Sequence, residues 1–349
     1  MSITAPWGWE VWGDHGLRDR VDGTFDTQSS LALARSLSDV GAAMGTSSWN
    51  ALSTMATLGS INLSVARVIE PHIDARAILH QARAVATSIL TVEDHQTWGV
   101  YAAHSPAARV NAVPGTTDPS GRWTLSGTKH WCSLADRVSH ALLTATAPDG
   151  HHQLFALDLA SDGVSVEMSQ WKALGLRDIT TGTVHLDHAC AYPVGEPGWY
   201  LDRPGFAWGG IAVAAIWFGA AAALASQLWA AASRRTPDQI ALMHVGSCDI
   251  ALETALLCLR AAAVTMDDPK TTMTEAEVVA TRTRAIVAHV AEQVMSTVGH
   301  ALGPAPLAFD RAHATRVADL TLYLRQHHAE RDLAHLGTLV LGSAEGGSL

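Results

Sequence analysis

Hydrophobic positions along this chain change their spacing twice. Gln28 to Val40 and Trp49 to Leu58 carry apolar residues at helical intervals, and Leu63 to Leu90 continues them, with a break expected at Pro71. From Glu93 the periodic stretches shorten to strand length: Trp98–Ala102, Ala108–Val113, Arg122–Leu125, Val138–Ala145, Gln153–Leu157, Val164–Met168 and Thr183–Leu186. Turn chemistry separates them, as in Thr117-Asp-Pro-Ser-Gly121, Pro148-Asp-Gly150 and Ser161-Asp-Gly163. Many short strands without intervening helices predict an antiparallel barrel or sandwich. After the turn-rich Tyr192–Gly198, helical spacing returns in Phe206–Arg235, Gln239–Met266, Glu275–Leu302 and Arg311–Leu341, punctuated by Pro237, Asp267-Asp-Pro269 and Gly303-Pro-Ala-Pro306. Four long helices of similar length predict an up-and-down bundle. The expected class is α+β: an N-terminal helical domain (1–92), a middle antiparallel β-barrel or sandwich domain (93–200) and a C-terminal four-helix bundle (201–349).

Composition narrows the function classes. With 48% hydrophobic and 16% charged residues the chain buries a large core. A net charge of −10 with scattered Lys and Arg disfavours a nucleic-acid footprint. Cys132, Cys190, Cys248 and Cys258 form no CxxC pair, so neither a disulfide framework nor a metal site is expected, and a reducing cytoplasm is. The first residues lack a basic stretch followed by an apolar core, so no secretory signal is expected. Gly205 to Ser233 carries no charge and is long enough to cross a bilayer. Its Ala and Gly content gains little in lipid, so a helix buried among helices is expected instead of a membrane span. Gly-x-Ser-x-Gly, P-loop and Gly-x-Gly-x-x-Gly patterns are absent.

Two stretches inside the strand-rich region carry candidate chemistry. Gly127-Thr-Lys-His-Trp-Cys-Ser133 resembles the Gly-x-Lys-x-Trp strand of the acyl-CoA dehydrogenase superfamily, and Leu174-Gly-Leu-Arg-Asp-Ile-Thr180 is similar to its Leu-Gly-x-Arg-x-(Ser/Thr) loop. The order helices, β domain, bundle is also that superfamily's. The resemblance implies FAD, with FMN as the alternative, lying against Trp131, Cys132 and Ser133, and passed by the backbone of Ala102, Ala103 and Ser105. It further implies that Arg235 and Gly303 reach the nucleotide half of the cofactor. Read from the residues alone, Trp131 and Trp171 fit barrel-core aromatics, and Arg234-Arg235 fits a favourable helix C-terminus.

The resemblance breaks where the family keeps its catalytic glutamate. Leu324 follows Tyr323 at that position, and Gly205 to Ser233 holds no carboxylate either. Three readings follow: an acyl-thioester dehydrogenase with another base, a flavin-dependent monooxygenase of the same fold, or a catalytically impaired partner subunit. Candidate acid/base residues are His327, His328, Glu330 and Asp332, where a continuous helix would pair His328 with Asp332. The alternative is a solvated helix face with local ion pairs. Tyr323 and Arg325 join them as substrate candidates. So do Glu70 and His72, in a segment resembling the Glu-Gly-His-Val-Asn-Ala stretch of one branch of the family; an exposed first helical turn after Pro71 is the alternative there. The expected partners are a small-molecule or acyl-thioester substrate, a second copy in a homodimer or homotetramer, and an electron-transfer or flavin-reductase protein, with no metal.

Overall fold

The computed structural model describes residues 16–345, apart from 22–24, 84–91, 104, 106, 116–120, 169–170 and 235. Helices α1 (Leu17–Arg20), α2 (Thr27–Ser36), α3 (Ser38–Ala42), α4 (Ser48–Ile61) and α5 (Leu63–Arg83) come first. Asp26 caps α2 by accepting the Ser29 N–H at 2.7 Å, and the Asn62 side chain does the same for Ser64 and Val65 at the start of α5. The break expected at Pro71 does not occur, and α5 runs through it. The proline removes one N–H from the helix ladder, but packing of α5 against α2, α3 and α7 outweighs that local loss.

Seven strands follow: β1 (Trp98–Tyr101), β2 (Val110–Pro114), β3 (Trp123–Ser133), β4 (His140–Thr146), β5 (His152–Asp158), β6 (Val164–Met168) and β7 (Thr181–Val194). The sheet order β4-β2-β3-β7-β5 closes on itself through β5–β4, which makes a barrel; β1 adds to β4 and β6 to β7. Pairing is antiparallel except where β1 and one residue of β2 run parallel to β4. Inward residues such as Leu125, Leu143, Phe155, Val184 and Ala191 fill its core.

A short α6 (Trp199–Asp202) leads to α7 (Pro204–Ala232), α8 (Gln239–Asp267) and α9 (Met273–Leu302), the last opened by a capping box between Thr272 and Glu275. The fourth expected helix is broken. It consists of α10 (Ala305–Phe309), α11 (Arg311–Tyr323), a 3₁₀ turn (Leu324–Gln326) and α12 (Glu330–Glu345), with Ala329 in the left-handed region at φ 49°. Both α7 and α8 are long and apolar enough to cross a membrane. Helix α7 is buried on all sides, sharing one hydrophobic core with α4, α5, α8, α9 and α11. A Cβ on Gly219 would strike the Ala56 carbonyl, and one on Gly59 would strike that of Ile216, so the crossing of α4 and α7 is closed by reciprocal glycines.

Candidate functional site

The site is built around a defect in β3. Leu125 and Lys129 point into the barrel, as strand alternation dictates. The register then shifts between Lys129 and Cys132, and Trp131 takes φ 62°, so one extra residue is accommodated as a bulge. The alternation is thereby reversed. Cys132 turns into the barrel core, where burial pushes its thiol up to about 12, and Trp131 is left 63% exposed at the mouth. Lys129 stays inside, donating to Thr144 Oγ1 at 2.8 Å, with its pKa lowered by burial. Only the backbone of Cys132 is thus available at the rim. Ser133 faces out with its hydroxyl 3.2 Å from that of Thr181, and its carbonyl accepts the Tyr101 hydroxyl at 3.0 Å. Beyond Tyr101, Ala102 is half-buried, Ala103 is exposed and Ser105 forms an isolated bridge with Ala108.

Helix α5 brings charge to the same place. Arg67, whose charge acts on Tyr101, forms an ion pair with Glu70 at 3.0 Å. The Arg67 guanidinium lies 5.9 Å from the centre of the Tyr323 ring, and that ring meets Trp217 edge-on at 6.2 Å. From α9, Arg284 covers Trp217 at 5.0 Å and donates to the Gly210 and Gln326 carbonyls at 2.7 and 3.1 Å. Burial raises the Glu70 carboxyl to about 7, against the opposing pull of Arg67 and Arg284. The Tyr323 hydroxyl is buried without a hydrogen-bond partner among the described residues, and burial also raises its pKa. One turn along α5, Asp74 is likewise raised by burial and faces Arg203, itself 5% exposed.

The Leu174–Thr180 loop is the joint between barrel and bundle. Leu176 donates its N–H to Asp319 Oδ1 at 2.6 Å, a Cβ on Gly175 would strike the Ala318 carbonyl, and Thr180 accepts the Leu134 N–H at 2.8 Å. Asp319 is 2% exposed and raised to about 6 by burial. It escaped the sequence reading because a lone Asp on a helix gives no signal without its distant partner.

Of the acid/base and substrate candidates, His327, Glu330 and Arg325 line one cavity between α8, α9 and α12, whereas His328 turns to solvent. The continuous helix expected through His327–Asp332 is interrupted, so the His328–Asp332 pair forms at 3.3 Å but as a helix-start contact, with the His328 side chain 68% exposed. Asp332 also accepts the His328 N–H at 3.0 Å. His327 turns inward, 3.6 Å from Asp332, and burial lowers its pKa. Glu330 is exposed, and Arg325 pairs with Glu292 on the outer surface. His72 points away from Glu70 toward α3, with Nε2 3.0 Å from the Ser38 hydroxyl, and burial lowers it to about 4. Leu324 is 1% exposed, part of the core. Gly303 ends α9 with φ 67° in open space, and Arg235 lies outside the described residues. No group of His, Cys, Asp or Glu suited to a metal exists among the described residues.

No protein-family model and no curated protein sequence matches the chain significantly. Solved structures do match over nearly its full length. KijD3, solved in complex with dTDP, has a TM-score of 0.77 at 18% identity, covering 97% of this chain and 94% of its own. FMN-bound TdsC from Paenibacillus sp. A11-2, a dibenzothiophene monooxygenase, gives 0.77 at 18% with 96% of each chain covered. Butyryl-CoA dehydrogenase from Megasphaera elsdenii gives 0.77 at 15%, covering 98% of this chain and all of its own. The chain has the acyl-CoA dehydrogenase fold.

Proposed function

We propose that this chain is a flavin-dependent oxidoreductase that holds FAD, or FMN in its place, against Trp131 and Ser133 and oxidises an acyl thioester or a similar small substrate. The observation that carries the reading is the meeting of two features: a large planar side chain presented outward by a bulge at the barrel mouth, and a buried cluster of Arg67, Glu70, Tyr323 and Arg284 beside it. An exposed tryptophan offers an apolar face to a ring system, and the orphaned Tyr323 hydroxyl asks for a polar atom that the described residues do not provide. Both fit a cofactor and substrate bound between barrel and helices. The fold's occurrence in FMN-bound KijD3 and TdsC adds support.

A bound flavin supplies a two-electron acceptor and, once reduced, reacts with oxygen. The chain's own residues do the rest. Trp131 and Ser133 orient the ring, the Asp319 joint fixes α11 so that Tyr323 stays beside the rim, and Leu324, Trp217 and the apolar face of α7 exclude water. Monooxygenation is the second reading, favoured by Leu324 standing buried where a dehydrogenase of this fold would carry its glutamate.

The exposed apolar face of α8 supports self-association. An electron-transfer or flavin-reductase protein would complete the cycle. The visible spectrum of the purified protein, before and after incubation with FAD and with FMN, tests the reading. A protein that remains colourless after both removes it. If it is yellow, anaerobic bleaching by butyryl-CoA supports dehydrogenation, whereas oxygen consumption only after external reduction supports monooxygenation.

A further inference from the structure

Dehydrogenation by a flavin enzyme of this fold needs a group to take the substrate's proton, and neither the position after Tyr323 nor α7 offers one. Such a group must meet the site through a free atom, must not be consumed by a structural contact, and must be able to hold a proton near neutrality. The described carboxylates near the site can be compared on those terms. Asp332 engages both oxygens with His328 at the start of α12. Asp319 is committed to the Leu176 N–H. Asp74 faces Arg203 behind Gly209. Glu70 differs: Oε2 accepts from Arg67 at 3.0 Å, Oε1 takes no hydrogen bond from the described residues, and the side chain keeps 12% of its surface open.

We propose that Glu70 is the proton-transfer group of this site, gripped by Arg67 and served by the unpartnered hydroxyl of Tyr323. The proposal rests on the flavin reading above and deepens it. The groups that face Glu70 are Arg67 and Asp74 on α5, Arg284 on α9, Tyr323 on α11 and Tyr200 on α6; the α7 residues beside Asp74 and Arg284, Gly209 and Gly210, carry no charge. Arg67 and Arg284 favour the carboxylate, while Asp74 and burial favour the acid, so both forms are accessible at neutral pH. The step itself is proton transfer alone. The substrate's C–H or O–H bond breaks, its proton passes to Glu70 Oε1, the electron pair stays on the substrate atom, and the neutral acid returns the proton to water after product leaves. Tyr323, too weak an acid to ionise here, donates its hydroxyl hydrogen to the substrate oxygen that gains charge.

The test is an NMR titration of protein carrying ¹³C-labelled glutamate carboxyls, with and without added FMN. One resonance should titrate near pH 7, vanish in Glu70→Gln, and move up by about one pH unit in Arg67→Met, which removes the charge holding the carboxylate. Loading with FMN should shift the same midpoint, because the ring would close the remaining opening to water. Glu70→Gln should still bind FMN, and its unchanged far-UV circular dichroism would show that it folds. A midpoint in the ordinary range near 4 to 5, or one that FMN loading leaves unmoved in a yellow protein, overturns the assignment of Glu70 alone. A protein that binds neither flavin overturns the function as well, and is recognised separately because it stays colourless.

Discussion

Leu176 and Asp319, 143 positions apart, share a buried 2.6 Å hydrogen bond that ties the loop after β6 to the middle of α11. The contact sets the height of α11 against the barrel, and Tyr323 follows one turn later on the same helix. Removing it should therefore loosen fold and site together. Asp319→Ala leaves the Leu176 N–H buried and unpaired and is expected to lower stability by about 1–3 kcal/mol, whereas Asp319→Asn keeps an acceptor and should cost less. Urea denaturation of the two variants checks the ranking.

Glu70 and His72 sit on one helix with opposite titration behaviour. Glu70 is raised from 4.5 to about 7, so its contribution to stability is fully present below pH 4.5 and is lost as pH rises through 7. His72 is lowered from 6.5 to about 4, so its contribution is present above 6.5 and is lost as pH falls through 4. The effects offset each other in the wild type and separate in variants. Relative to wild type, Glu70→Gln should gain stability on the order of 2 to 3 kcal/mol between pH 5 and pH 8, and His72→Gln should gain as pH falls from 6.5 to 4. Chemical denaturation at several pH values reads both slopes; parallel curves for Glu70→Gln and wild type would refute the first.

The crossing of α4 and α7 has no room for a methyl group at Gly219, because the Ala56 carbonyl occupies that space. Gly219→Ala must push two core helices apart. The expected cost is about 1–3 kcal/mol from overpacking, despite the better helix propensity of alanine. A thermal melt that matches wild type would mean that the helices slide past each other without loss.

Met243, Ile250, Leu257 and Val264 recur every seventh residue along α8, and all four are exposed. Their spacing is symmetric about the point between Glu253 and Thr254. An antiparallel second copy therefore sets Met243 against Val264 of the other chain and Ile250 against Leu257, a self-complementary seam. The expected result is a dimer for the wild type and a monomer for Ile250→Glu with Leu257→Glu in analytical ultracentrifugation, with the helix content of the chain unchanged. A wild-type protein that sediments as a monomer sinks this interface.

Much of the architecture was legible because it depends on local periodicity. The strand-length repeats between Trp98 and Leu186, the punctuation at Pro237 and Asp267-Asp-Pro269 and the uncharged stretch now forming α7 each reported their element from neighbours in sequence. Of the motif residues, Trp131 and Ser133 stand at the barrel mouth. Errors arose where one residue overrides a period. Pro71 did not break α5, because surrounding helices hold it on every side. Ala329 at φ 49° did break the last long run, so His328 and Asp332 meet at the start of α12 and not within one continuous helix.

The sequence by itself determined most of the helical and strand segments, which faces are apolar, and that Leu324 follows Tyr323. Only the tertiary structure decided which charged residues meet. Cys132 turned inward because the bulge reverses the alternation of β3, and Glu70 came to face Arg284 and Tyr323 because α5, α9 and α11 converge beside the barrel. Secondary structure is written in spacings of two to four residues, while Arg284 and Tyr323 come to Glu70 from more than two hundred positions away. No local pattern carries that information; packing does.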